Sequence, residues 1–267
     1  TAGEKNTIRM RPRECGWTVD QFIVVASTAY IPSGIVKEIN LDSSSAKLEF
    51  EWETPPYNPP ANEHPRVYFR KSDIPQIKEN MEAEENADAK AKLLDEAENE
   101  IEVGTKYSEN ILAKIMSKAF YYQLFGDAEK GRAAIDCFFK LADWDDLASV
   151  LDNTRRYGAC IEVAGIVYDW CYDLTTAEER KSIINMAVGW ATPMEIGWPP
   201  SKQGSLVTHG AEAQLLKDDM SFAIAVYDER PDIWNYVGGR FYEQYVPERQ
   251  WHLGSQVNHQ GNNYGQY

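Results

Sequence analysis

The sequence predicts a mainly α-helical chain, an incomplete (α/α) toroid of helical hairpins behind a short N-terminal β segment. Three observations point there. From Ser72 onward apolar residues recur at helical spacing almost without interruption. The helical runs come in pairs of about 50 residues, each pair broken by a turn signal. Before residue 53 the pattern alternates with period two instead.

The elements follow in chain order. Asn6–Arg13 alternates, with Ile8 and Met10 set against Arg9 and Arg11, and Glu14-Cys15-Gly16 punctuates. Trp17–Val25 is a second strand run and Ala46–Trp52 a third. Three such strands are too few for a stable sandwich alone, so residues 1–52 read as the end of a β module. Residues 53–65 form a linker, because Pro55, Pro56, Pro59 and Pro60 around Tyr57 favour extended chain. A domain boundary belongs there, and 66–267 is the helical domain.

Ser72-Asp73-Ile74-Pro75 is a helix-start signal with proline in the first turn. An Ala/Glu/Lys-rich helix is expected over 79–101. Helices over 108–125 and 127–142 are broken at Gly126-Asp127. Those over 155–172 and 177–190 are broken around Leu174-Thr175-Thr176, and those over 210–228 and 231–246 at Arg230-Pro231. Successive antiparallel hairpins suit a toroid or solenoid, and periodicity alone leaves a globin-like or bundle arrangement open. Most aromatics on these helices, such as Tyr168, Trp170 and Trp234, are expected in the core. Trp198, in the loop Gly197-Trp198-Pro199-Pro200, falls outside the helical period, where a sugar could stack on its face.

Charge narrows the classes of function. The net charge is -15, and all of the excess lies beyond residue 50, with 21 basic against 36 acidic residues. Residues 73–102 alone hold eleven acidic and three basic side chains, a pattern of a solvated helix face. A nucleic-acid partner is excluded for want of a basic footprint, and a densely sulfated substrate is disfavoured. No apolar run is long enough to span a membrane. The chain begins without Met and has no leader pattern, so both ends are read as cuts in a longer protein. Cys15, Cys137, Cys160 and Cys171 lack metal-ligand spacing, and the last three are expected as buried free thiols. No metal and no cofactor are expected in this segment.

Four histidines occur: His64, His209, His252 and His259. His64 is expected to be structural. His209 precedes a long helical run, and Glu212, three residues on, would share its helix face. Residues 254–267 are polar, glycine-rich and nearly uncharged, with His259, Tyr264 and several amides, as suits a site loop on a rigid scaffold.

Several of these segments resemble those of one family. His64-Pro-Arg-Val-Tyr-Phe69 with Ser72-Asp73-Ile74 is similar to the opening of heparinase II/III-like polysaccharide lyase toroids. Val167-Tyr-Asp-Trp-Cys-Tyr-Asp-Leu174 resembles one of their helix ends. Thr208-His-Gly-Ala-Glu-Ala213 resembles the start of the catalytic helix, and His259-Gln-Gly-Asn-Asn-Tyr-Gly265 the catalytic-tyrosine loop. The resemblance covers 64–267. Asn6–Val24 in turn looks like the last hairpin of a carbohydrate-binding β-sandwich.

The resemblance implies β-elimination on a polysaccharide containing uronic acid. A base takes the C5 proton, the O4 leaving group takes a proton, and a double bond remains. Neutralising the uronate carboxylate lets charge delocalise onto it. Tyr264 is then the acid/base, His209 a second base or orienting group, and Glu212 the partner of the carboxylate. Arg155 or Arg156 could clamp that carboxylate bidentately. Trp198, Asn258, His259, Gln260 and Asn263 would contact substrate. The family carries a further histidine, sometimes with a structural metal, on a C-terminal β-sandwich, which this segment lacks. The implied setting is secreted or periplasmic, and the implied partner is an acidic polysaccharide such as alginate or an unsulfated glycosaminoglycan. Two rivals stand beside this: a toroid glycoside hydrolase drawing on Asp143, Asp145, Asp146, Asp169 and Asp173, and a non-catalytic carbohydrate-binding segment.

Overall fold

The structure is a computed structural model of the chain, and it describes residues 55, 57–149, 153–194, 212–247, 249 and 250. The chain divides into two units, Thr1–Lys47 and Leu48–Tyr267, and every described residue belongs to the second. The expected strands over 1–52 lie outside the described residues, and so does Cys15. What is described is mainly helical, with no strand among the described residues.

Six helices lead along the chain: α1 (Ile74–Asn80), α2 (Ala87–Glu98), α3 (Glu109–Phe125), α4 (Ala128–Phe139), α5 (Asn153–Trp170) and α6 (Ala177–Ala191). A π-helical segment, Glu212–Asp219, then runs into α7 (Met220–Ala225). Last comes α8 (Pro231–Gly239), which continues as a second π segment, Arg240–Tyr245.

Local chemistry sets the breaks. Gly126 ends α3 at φ 74°, a left-handed conformation that glycine takes without a Cβ clash, and its N–H returns to Tyr122 O at 2.8 Å. Asp127 then caps α4, its Oδ1 accepting from Glu129 N at 3.0 Å and Lys130 N at 3.2 Å. The two-residue turn folds α4 back on α3. Thr176 and Glu179 form a reciprocal capping box at the start of α6. Pro231 opens α8, where its missing N–H costs nothing.

Two expectations need correction. The run expected as one helix over 79–101 is two, α1 and α2, separated around Met81–Asn86. There the Asn86 side chain donates to Asn80 O at 2.8 Å, offering the backbone an alternative to continued helix. In the run over 210–228, of which 210 and 211 lie outside the described residues, Glu212–Asp219 winds as a π-helix rather than an α-helix.

α5 is the hub. It packs against α3, α4, α6, α7 and the first π segment, and its C-terminal half is buried nearly all round. Two glycines, seven residues apart, let neighbours approach it closely. A Cβ at Gly165 would fall 3.0 Å from Phe222 N and Cα, so α7 crosses there backbone to backbone. A Cβ at Gly158 would overlap the Asp218 carboxylate. The surrounding core is dominated by Ile115, Ile135, Phe138, Leu141, Ile161, Ile183 and Trp234, all buried. Each such side chain contributes about 1.5–3 kcal/mol by leaving water. Cys137, Cys160 and Cys171 are free and buried in this core, as the sequence led us to expect. Burial pushes all three thiols up, which keeps them protonated and inert.

Candidate functional site

Of the residues singled out from sequence, the structure places three. Arg156, at the start of α5, donates through Nη1 to Asp146 O at 2.8 Å and Asp146 Oδ2 at 3.0 Å, and its guanidinium lies 4.9 Å from the Tyr107 ring centroid. Asp146 also accepts from Tyr107 N at 2.7 Å. That amide, and then Arg156, hold the Asp146 carboxyl below the usual carboxylate range. Arg156 thus ties the loop before α5 to the loop before α3. Arg155 beside it is exposed. Glu212 is the first residue of the π segment; its side chain lies outside the described residues. Trp198, His209, Asn258, His259, Gln260, Asn263 and Tyr264 lie outside the described residues as well.

Two of the segments that carry the family resemblance meet. Asp169 on α5, fully buried, accepts from Arg66 N and Val67 N through Oδ2, both at 2.8 Å, and its Oδ1 lies 2.6 Å from His64 Nδ1. Trp170 Nε1 donates to Val67 O at 3.1 Å. The His64 ring stacks on Tyr172 with centroids 3.8 Å apart, and the Arg180 guanidinium lies 4.4 Å from the Tyr172 ring centroid. Arg66 buries its guanidinium and donates to Pro60 O at 2.6 Å, Ala225 O at 2.8 Å and Asp228 Oδ2 at 2.9 Å. Asp228 accepts in turn from Asn62 N. Within the 53–65 segment expected as an extended linker, Asn62 and His64 are bound to the turn after α7 and to α5, as is Arg66 next to it. The segment includes a cis peptide bond at His64-Pro65. His64 has the structural role expected of it.

Four of the five acidic residues of the hydrolase rival, all but Asp143, have partners. Asp145 pairs with Lys106 at 2.6 Å and Asp173 with Lys71 at 3.3 Å, while Asp146 and Asp169 have the partners given above.

A second polar cluster lies where Tyr68, α5 and the first π segment meet, and sequence reasoning passed over it. Tyr68 has φ 67°, a left-handed conformation that costs a non-glycine residue about 1–3 kcal/mol. Tyr68 is 62% exposed, although Val67 and Phe69 on either side are buried. The Tyr68 hydroxyl donates to Glu162 Oε1 at 3.0 Å and meets Ser221 Oγ at 2.9 Å. Glu162 Oε2 accepts from Lys217 Nζ at 2.5 Å, and Lys217 also reaches Asp218 Oδ1 at 3.1 Å. Asp219, next in sequence, is buried too.

The electrostatics of this cluster are uneven. Burial pushes the Asp218 carboxyl up to about 6, with the Lys217 ammonium opposing and Glu162 adding. Burial, then the Asp218 charge, push Asp219 well above the usual range, and Arg240 opposes them. For Lys217, burial acts downward, but Asp218 and Glu162 outweigh it and hold the ammonium charged. Burial raises the Tyr68 phenol to about 12, so it serves as a hydrogen-bond donor. A signal for this site was present in the sequence: Gly158 and Gly165 repeat on one face of a helix interior, where each glycine costs about 1 kcal/mol and marks a close approach.

Among the described residues no group of three His, Cys, Asp or Glu could hold a metal ion, and no helix is long and apolar enough to cross a membrane. No protein-family model matches the chain, and no curated protein matches it.

Proposed function

We propose that the chain is the helical part of a polysaccharide lyase of the heparinase II/III-like type, acting on a uronic-acid polysaccharide outside the cytoplasm. In this proposal the hairpins α3/α4, α5/α6 and α7/α8 are successive pairs of an incomplete (α/α) toroid, and residues 1–52 are the last strands of a carbohydrate-binding β-sandwich. What carries it is the order of four family-like segments along the sequence. Supporting it, the first two, His64–Phe69 and Val167–Leu174, are bonded to each other through Asp169 and Trp170. The third, Thr208–Ala213, contains Glu212, which opens a π-helix, a geometry enriched at functional sites.

The proposed step balances as follows. Tyr264 or His209 takes the proton from C5, the C5–H electrons form the C4–C5 double bond, and the C4–O4 bond breaks. Tyr264 returns a proton to O4. Glu212 in its protonated form hydrogen-bonds the uronate carboxylate and removes the charge that would otherwise oppose the carbanion. Arg155 or Arg156, both at the start of α5, is the candidate clamp for that carboxylate.

The test is incubation with a panel of uronans, followed by ultraviolet absorbance of the unsaturated product. Absorbance should rise for at least one unsulfated uronan, and Tyr264→Phe should lower turnover by on the order of 100-fold or more while binding survives. Cleavage without the double bond would turn the assignment to a hydrolase. Binding without any cleavage would turn it to a carbohydrate-binding scaffold.

A further inference from the structure

We propose that Tyr68, Glu162 and Lys217 form a sugar subsite that takes an uncharged, unsulfated pyranose, stacked on the open face of the Tyr68 ring. It deepens the lyase proposal, on which it rests for its source of sugar.

Three features of the geometry lead there. The first is orientation. Val67 and Phe69 point into the core, and only the left-handed turn at Tyr68 brings the ring between them out to solvent. Burial returns little for that strain, because Tyr68 stays 62% exposed. The second is rigidity. Glu162 and Ser221 hold the phenol oxygen, so the ring is fixed at its far end while most of the residue stays exposed. An aromatic face held in place, with its rotamer already chosen, is what the apolar C–H face of a pyranose needs to stack without an ordering penalty. The third is hydrogen bonding at the rim. A carboxylate offers about four acceptor positions, and Glu162 spends one on Tyr68 and one on Lys217. Two remain for sugar hydroxyls.

Charge then selects among sugars. Among the described residues the ammonium of the cluster is Lys217, which lies between Glu162 and Asp218, while Arg240 opposes the charge of Asp219. One ammonium held between two carboxyls leaves no net positive charge for a sulfate or a second uronate. A neutral hexose or N-acetylhexosamine meets no such repulsion. The subsite would therefore reject a sulfated sugar.

The test is calorimetric binding of two probes to the full chain: an unsulfated tetrasaccharide alternating uronate with N-acetylhexosamine, and its sulfated counterpart. Wild-type protein should favour the unsulfated probe by about tenfold, and Tyr68→Gly should weaken that probe by about tenfold. Glycine is at ease at φ 67°, so this variant should unfold within a few degrees of wild type. Glu162→Gln keeps the shape and removes one negative charge, so it should narrow the preference against the sulfated probe, an effect that a purely structural role would not produce. Equal binding by wild type and Tyr68→Gly, a wild-type preference for the sulfated probe, or no binding of either probe overturns the subsite. Elimination activity is read separately by ultraviolet absorbance. Tyr68-dependent binding without absorbance sinks the lyase and keeps the subsite; absorbance with Tyr68-independent binding does the reverse.

Discussion

The clamp around Asp169 and the cluster around Asp218 use the same parts and behave differently. Each has a buried aspartate, a cation and a tyrosine, and each joins the 64–69 segment to the helices. Asp169 accepts two backbone amides and faces His64 at 2.6 Å, so its oxygens have dedicated partners in fixed geometry. Asp218 has one lysine, shared with Glu162, and a second buried carboxyl next to it. A buried carboxylate that collects its own donors holds a fold together; one that shares a single cation is left charged at a cost. The first arrangement fixes the chain. The second keeps a set of polar groups poised at a surface.

The comparison can be broken at its strongest point first. Asp169→Ala strands two buried amides and leaves Nδ1 of His64 without its acceptor, so it should cost about 3–5 kcal/mol, read as a shift in the urea midpoint. A loss near zero would mean that Asp169 is no anchor.

The next effect is smaller and depends on pH. The folded Asp218 carboxyl is raised from 3.8 to about 6, so the stability it contributes is complete below the lower value and is lost as pH rises through the upper one. Asp219 moves in the same direction. Thermal scans should therefore show wild type weakening from about pH 4 to about pH 7, and Asp218→Asn weakening by roughly 2–3 kcal/mol less over that span. Parallel curves would remove the charge cost from this cluster.

The smallest effect tests whether Asp218 and α5 touch as closely as the geometry says. Gly158→Ala should cost about 1–3 kcal/mol by overlap with the carboxylate. In an Asp218→Ala background the same change should cost nothing, and can gain up to about 1 kcal/mol from helix propensity. A double-mutant cycle by chemical denaturation gives the coupling, and additivity would show that the two residues are independent.

Much of the helical domain was legible because its signals are local. Gly126-Asp127, Thr176 with Glu179, and Pro231 each mark an end through groups within four residues, and the structure places helix ends at all three. The break inside 79–101 was missed because Asn80 and Asn86 carry a weaker signal than the Ala/Glu/Lys composition around them. The Pro-rich 53–65 segment looked like free linker because its partners, Asp169, Asp228 and Trp234, are more than 100 residues away. Tyr68 was read as one letter of a motif; nothing local announces φ 67° at a tyrosine.

The sequence by itself determined where the described helices lie, where they stop, which of their thiols are buried, and a net charge of -15. Capping, periodicity and charge act over a few residues or over the whole chain, so they can be read without coordinates. Only the tertiary structure decided that His64 and Arg66 are anchored on α5, that Gly158 gives its space to Asp218, and that Glu162, Lys217 and Tyr68 share one surface. Those pairings join residues distant in sequence, and their energies come from burial and from hydrogen-bond partners that exist only once the helices have packed.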